Sequence, residues 1–187
     1  MELPRYTDAE LLEEVQRRAV RFFWEEADPQ TGLAKDRARN SGEDDHFVGS
    51  TATTGYGLVA LVIAVERGWV DRDEAIARGT KTLQFLLNMP NRHGWLTHFV
   101  DKRTGAQVWN SEFSSIDTAL MVAGALVCGE YFSQDQSGAE LKELVDQLYS
   151  RIDWWWMLTN GGTQINKRIM SHGLRKERIF DLQLRRL

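Results

Sequence analysis

Two carboxylates, Glu112 and Asp117, stand five residues apart in W-N-S-E-F-S-S-I-D-T-A-L-M-V-A-G-A-L, residues 109–126. They occupy a short polar stretch that ends where a strongly apolar helix begins. A pair of carboxyl groups can cleave a glycosidic bond: one protonates the leaving oxygen while the other activates water or attacks the sugar. One of the two must keep its proton near neutral pH, which burial or a neighbouring carboxylate provides. A plainer role competes for Asp117, as support for the first turn of the helix starting at Ser115.

Aromatic side chains crowd the same region. Trp95, His98, Phe99 and Trp109 lie in the two segments that lead into that helix. An indole stacks on the C–H face of a pyranose, and a histidine donates to a sugar hydroxyl. Filling the gap between helix pairs is the competing role for Trp95 and Phe99. Further on, Asp153 is followed by three consecutive tryptophans, which read as the end of a helix. Side chains about 100° apart on a helix cannot all be buried. Trp154 and Trp156 are therefore further stacking candidates, or contacts for a neighbouring segment.

Other chemistries find no support. The four histidines show no metal-ligand spacing, so neither a metal nor a cofactor is expected. G-Y-G at 55–57 lacks the preceding strand and third glycine of a dinucleotide fingerprint, and neither Ser114 nor Ser115 sits in a G-x-S-x-G elbow. E-D-D-H at 43–46 falls in a loop, unlike the helix-borne acid cluster of a terpenoid cyclase. The net charge of −4 gives no global pull toward nucleic acid.

Helices must position these groups. Asp8 or Thr7 caps a first helix whose Leu11, Leu12, Val15, Ala19, Phe22 and Phe23 form an apolar stripe. The second, Thr54 to Arg67, and the fourth, Ser115 to Tyr131, are apolar on nearly every side and read as interior helices. The third, from Asp71 or Asp73 to Asn88, and the fifth, Gly138 to Trp156, are amphipathic. Inner and outer helices thus alternate with long loops between them. G-L-V-A-L-V-I-A-V-E-R-G at 57–68 parallels A-L-M-V-A-G-A-L-V-C-G-E at 119–130, and D-x-x-T-G occurs at Asp28–Gly32 and Asp101–Gly105. Repeating helix hairpins build solenoids and closed α/α toroids, and the all-round apolar inner helices favour the toroid. With only two and a half hairpins, the fold class is all-α and the expected shape an incomplete ring, leaving an apolar flank open to self-association.

The lone Cys128, inside an apolar helix, excludes a disulfide framework. The N-terminus is charged and polar, with neither signal peptide nor membrane span apparent, so a cytoplasmic chain without a membrane partner is expected. Residues 167–187 hold seven Lys/Arg against two acids, and the rest of the chain sixteen against twenty-five. The chain is accordingly divided into 1–166, a helical domain, and 167–187, an atypical basic tail.

Several segments together resemble the bacterial glucoamylase-like glycoside hydrolases, which include endo-β-1,2-glucanases and resemble domains of cyclic β-1,2-glucan synthases. They are 14–37, T-x-T-T-G-Y-G-L at 51–58, A-V-E-R-G-W-V at 64–70, H-F-V-D-K-R-T-G at 98–105, S-E-F-S-S-I-D-T-A-L at 111–120 and R-I-D-W-W-W-M at 151–157. The resemblance spans residues 9–165. It implies an (α/α)6 toroid, metal-independent hydrolysis of a β-glucan, with inversion in the glucanases, and acids on loops at one rim. Such proteins are often periplasmic or secreted. It further implies Glu112 and Asp117 as active-site acids, without assigning the proton donor, and His98 as a sugar contact. The tail departs from the pattern after residue 166, where a frameshift or truncation is expected, leaving the chain inactive alone. A non-catalytic α-helical module binding carbohydrate or protein is the alternative.

Overall fold

The structure, a computed structural model, describes residues 6–41, 44–134, 136–159, 162–165 and 168–169. Helix α1 (Asp8–Glu26) begins with a capping box: Thr7 Oγ accepts from Glu10 N, and the Glu10 carboxylate accepts from Thr7 N at 2.8 Å. Strand β1 (Val48–Ser50) runs into α2 (Thr51–Glu66), which Ser50 caps. Helix α3 (Arg72–Asn88) is capped by Asp71, whose carboxylate takes the amides of Asp73 and Glu74. Strands β2 (Phe99–Asp101) and β3 (Phe113–Ser114) precede α4 (Ser115–Phe132), and a 3-10 turn leads into α5 (Ala139–Ser150). Short strands β4 (Leu158–Thr159), β5 (Gln164–Ile165) and β6 (Arg168–Ile169) follow. Strands β1 and β2 pair antiparallel with Val48 opposite Asp101, as do β4 with β5 and β3 with β6.

The helices form two layers. Helices α2 and α4 pack directly on each other, and glycine permits their close approach. A Cβ on Gly124 would lie 2.1 Å from the Gly55 carbonyl oxygen, and one on Gly55 would lie 2.5 Å from Met121 Cα. The outer layer has α1 against α2, α3 against α2 and α5, and α5 against α4. Leu58, Leu61, Leu83, Leu86, Met121, Phe132, Leu141 and Leu148 fill the space between the layers. Each such side chain contributes about 1.5–3 kcal/mol on burial. Cys128 is a free thiol in this core, and burial pushes its pKa up to about 12.

Helices α2 and α4 start at the same end of the molecule, because one segment spans both N-termini. Thr51 N donates to His98 O and Thr51 Oγ to Thr97 O, which ties the segment to α2. Ser114 N donates to Leu96 O, and Leu96 N to Thr118 Oγ, which ties it to α4. Residues 96–98 thus form a rail between the two helix mouths.

Three expectations change. In α1, Leu11, Leu12, Val15 and Ala19 are exposed, while Val20 and the half-buried Phe23 carry the contact with Ala60 and Ala64 of α2. Arg67, at the end of α2, bonds Glu13 and Gln16 of α1, while the apolar Leu11, Leu12 and Val15 face solvent. Helix α4 is not apolar because it is enclosed. Ile116, Ala119, Leu120, Ala123, Leu126 and Val127 line one exposed stripe at helical spacing. This helix is also long and apolar enough to cross a membrane, although just over half of it is buried in the fold. Finally, α5 stops at Ser150. Asp153 accepts the amides of Trp155 and Trp156 and folds the three tryptophans into a turn. Of the basic tail, only the backbone of Arg168–Ile169 lies within the described residues.

Candidate functional site

The rail carries His98 into the angle between the two acids. Its Nδ1 lies 3.4 Å from Glu112 Oε1, and its Nε2 lies 3.4 Å from Asp117 Oδ1. Backbone contacts fix this arrangement: His98 N donates to Glu112 O at 3.0 Å. Ser111 Oγ donates to Phe99 O and accepts from Phe99 N, locking the neighbouring residue. The imidazole ring stacks on Phe99, with centroids 3.6 Å apart. All three polar side chains keep a solvent-facing part: 30% for His98, 21% for Glu112 and 13% for Asp117.

Asp117 both supports the start of α4 and faces His98. Helix α4 starts at Ser115 as expected, Ser114 is its N-cap, and Ser114 Oγ accepts from Asp117 N at 3.1 Å. The Ser114 hydroxyl in turn donates to Asp117 Oδ2. The other carboxylate oxygen, Oδ1, remains directed at His98. The cap thereby orients the acid.

An imidazole between two carboxyl groups gives full pairing in only two ways. Either the ring is protonated and donates to both, or it is neutral and one acid carries the proton. In each case the trio holds one exchangeable proton beside a carboxylate.

The aromatic candidates divide. Trp109 is 59% exposed and meets Phe99 edge-on at 5.2 Å, which places it beside the acid trio. Both Trp109 (φ 55°) and Asn110 (φ 50°) adopt the left-handed region, a conformation that side chains other than glycine rarely occupy. Trp95 is only 3% exposed, and its Nε1 donates to Asp153 O at 2.9 Å. With no free face, Trp95 is a core residue and not a stacking surface. Trp154 packs against Trp95 and Tyr149, while Trp156 stacks on His93 at 4.7 Å. Those two belong to a second aromatic group around the turn after α5. Trp155 is the outward member of the three.

A second polar knot adjoins Trp109. His46 Nε2 lies 2.5 Å from Asp36 Oδ1, and the His46 ring is 6.5 Å from the Trp109 ring. Asp44 folds this loop by accepting the amides of His46 and Arg39 at 3.0 Å each. These two amide hydrogen bonds, aided by Lys35, hold its carboxyl down at about 2 against burial. The buried Lys35 links Asp44 to Glu26. Sequence reading saw E-D-D-H only as a loop, because the partner Asp36 lies across it. Among the described residues, no group of three or more His, Cys, Asp or Glu side chains is arranged to hold a metal ion.

No family model matches the chain. An exo β-1,2-glucooligosaccharide sophorohydrolase (non-reducing end) of Parabacteroides distasonis is 31% identical over 156 residues, which cover 80% of this chain and 21% of that protein. A β-1,2-glucanase structure from the same organism superposes with a TM-score of 0.79 at 26% identity, covering 92% of this chain and 25% of the other. The chain is a relative of the bacterial glucoamylase-like glycoside hydrolases. A glucoamylase candidate from Bacteroides uniformis gives a TM-score of 0.80 at 25% identity, with 91% and 42% of the two chains covered. The endo-β-1,2-glucanase of Chitinophaga pinensis, solved with sophorotriose and glucose, shares the fold with a TM-score of 0.80 at 24% identity. The chain spans about a fifth of the curated relative's length, by the 21% coverage.

Proposed function

We propose that this chain carries part of the saccharide-cleaving rim of a β-glucan hydrolase, with a β-1,2-linked glucan as substrate. The observation that carries the reading is His98 held between Glu112 and Asp117, one acid at each ring nitrogen. One acid of the pair protonates the glycosidic oxygen, and the other takes a proton from the water that attacks the anomeric carbon. His98 positions both carboxyls and contacts a sugar hydroxyl. Trp109 offers an open indole face for a pyranose. The β-1,2-glucan chemistry named for the Parabacteroides distasonis relatives supports the linkage. In this reading the two helix layers are an arc of an (α/α)6 toroid. The exposed α4 stripe then seeks cover, by self-association when nothing else provides it. An arc exposes only one wall of a cleft, so the chain alone binds oligosaccharide weakly and does not turn it over.

Titration with sophorose-series oligosaccharides, followed through the histidine side-chain NMR signals, tests this. His98 signals are expected to move at millimolar ligand, with no new reducing ends. Joined to the remaining length of the Parabacteroides distasonis relative, the chain should cleave β-1,2-glucan. Glu112→Gln or Asp117→Asn should then lower turnover by about 10²-fold or more while binding persists. Unmoved His98 signals with every β-1,2-oligosaccharide would overturn the site. Undiminished turnover in both variants would leave a binding module.

A further inference from the structure

The Asp36–His46 pair has no part in the acid trio, yet it is built like a functional element. It lies on the loop before β1, far in sequence from His98, and ring contacts bring the two sites into one row. His98 stacks on Phe99, Phe99 meets Trp109 edge-on at 5.2 Å, and Trp109 faces His46 at 6.5 Å with the rings tilted by 40°. One end of the row is the Glu112–His98–Asp117 trio; the other is Asp36–His46. Between them stands the exposed indole of Trp109.

Three observations set this end apart from ordinary loop packing. First, the loop is held from within by Asp44 and Lys35, so Asp36–His46 is not needed to close it. Second, the contact at 2.5 Å engages Nε2 of His46 with Asp36, while the ring keeps 21% exposure. A carboxylate on one ring nitrogen fixes the tautomer and leaves the other nitrogen free for a hydroxyl group. Third, two successive left-handed residues hold Trp109 outward beside that ring, a conformation retained where a side chain must be aimed. An apolar ring face next to an oriented imidazole is the chemistry that recognises a hexose: C–H groups on the indole, hydroxyls on the nitrogen.

We propose that Trp109 and the Asp36–His46 pair form a second saccharide subsite, which holds a glucosyl unit displaced from the acid trio along the same glucan. Asp36 positions His46, and His46 and Trp109 touch the sugar. The inference rests on the proposed β-glucan function and adds a length preference: a chain that reaches from the trio to His46 binds more tightly than a disaccharide seated at the trio alone.

The experiment is a titration of the full chain with sophorose, sophorotriose, sophorotetraose and sophoropentaose, read by calorimetry and by Trp fluorescence. Wild type should gain about tenfold in affinity between the disaccharide and the longest ligand. In His46→Gln that gain should fall to threefold or less, while sophorose affinity stays within about twofold of wild type; Trp109→Ala should lose the gain as well. Asp36→Asn should weaken the gain in the same direction, and His46 NMR signals should move only with ligands long enough to span the row. Circular dichroism of each variant should match wild type, since Trp109 is exposed and the half-buried His46 lies outside the core; a variant that loses its fold is replaced by Trp109→Phe, expected to restore part of the gain. The subsite is overturned by an affinity gain that the variants retain, or by no gain with length in wild type. Failure of the β-glucan reading has a different signature: His98 signals that stay unmoved with all four ligands.

Discussion

Replacing Gly124 with Ala tests whether the contact of α2 with α4 sets the whole site. The added methyl would sit 2.1 Å from Gly55 O and 2.6 Å from Gly55 C, both backbone atoms that no rotamer change can move. Restoring even a tight contact of 3.0 Å needs the helices to part by roughly 1 Å, in an interior packed to crystal-like density. Overpacking of this kind costs about 1–3 kcal/mol, and rigid backbone on both sides puts this case at the upper end. Alanine's better helix propensity returns about 1 kcal/mol. The net loss is about 2 kcal/mol, which at a urea slope of about 2 kcal/mol/M lowers the midpoint by about 1 M. Gly57→Ala is the matched control. It lies on α2, and its Cβ would meet Phe23 Cδ1 at an ordinary 3.7 Å. Its propensity gain is unopposed, so the midpoint should rise by up to about 0.5 M. Urea unfolding followed by far-UV circular dichroism measures both. A Gly124→Ala midpoint equal to or above wild type, with an unchanged slope, would refute the close-packed crossing. The rail tied to both helix mouths means that the same variant should also shift the His98 NMR signals.

Two other expectations concern the loop and the open helix face. Asp44 is held at about 2, below the ordinary carboxylate range, so its carboxylate stabilises the fold above that range and loses that effect as pH falls toward 2. The stability difference between wild type and Asp44→Asn should therefore be constant above about pH 5 and shrink between about pH 4 and 2; a difference that already vanishes at pH 5 would contradict the two amide hydrogen bonds. On α4, Leu126→Gln with Val127→Gln should leave the unfolding free energy within about 0.5 kcal/mol per site, because both side chains already face solvent. Sedimentation velocity should then show less association than wild type, and an unaltered profile would mean that this stripe is not the sticky surface.

The sequence disclosed the helices better than their surroundings. Apolar periodicity located α2, α3 and α4 to within a few residues, and Asp117 was read as support for the first turn of α4, although the cap itself is Ser114. The paired D-x-x-T-G turns proved to be one structural device used twice. In each, the backbone of Asp28 or Asp101 accepts from the closing glycine, Gly32 (φ 75°) or Gly105 (φ 71°). Thr31 Oγ also donates to Lys102 O at 2.5 Å, joining the two turns to each other. Periodicity could not tell which apolar face finds a partner, and Leu11, Leu12 and Val15 stand exposed for that reason. Strands of two or three residues are too short to carry an alternating pattern. Trp95 was misassigned because an aromatic loop residue looks the same in sequence whether its indole nitrogen meets a sugar or the carbonyl of Asp153. The Asp36–His46 contact went unseen because its two halves straddle a ten-residue loop.

The rail at residues 96–98 has a consequence for how this site can change. Its backbone is committed: Leu96 O, Thr97 O and His98 O are all spoken for by the two helix mouths. The side chain at position 98 takes no part in those bonds. Selection, or a protein engineer, can therefore exchange the imidazole for another group without disturbing the frame that aims it. An insertion at the same place would unseat both helices at once. Novel specificities in this lineage should arise by substitution here, and by length variation only in the hairpin beyond Asp101.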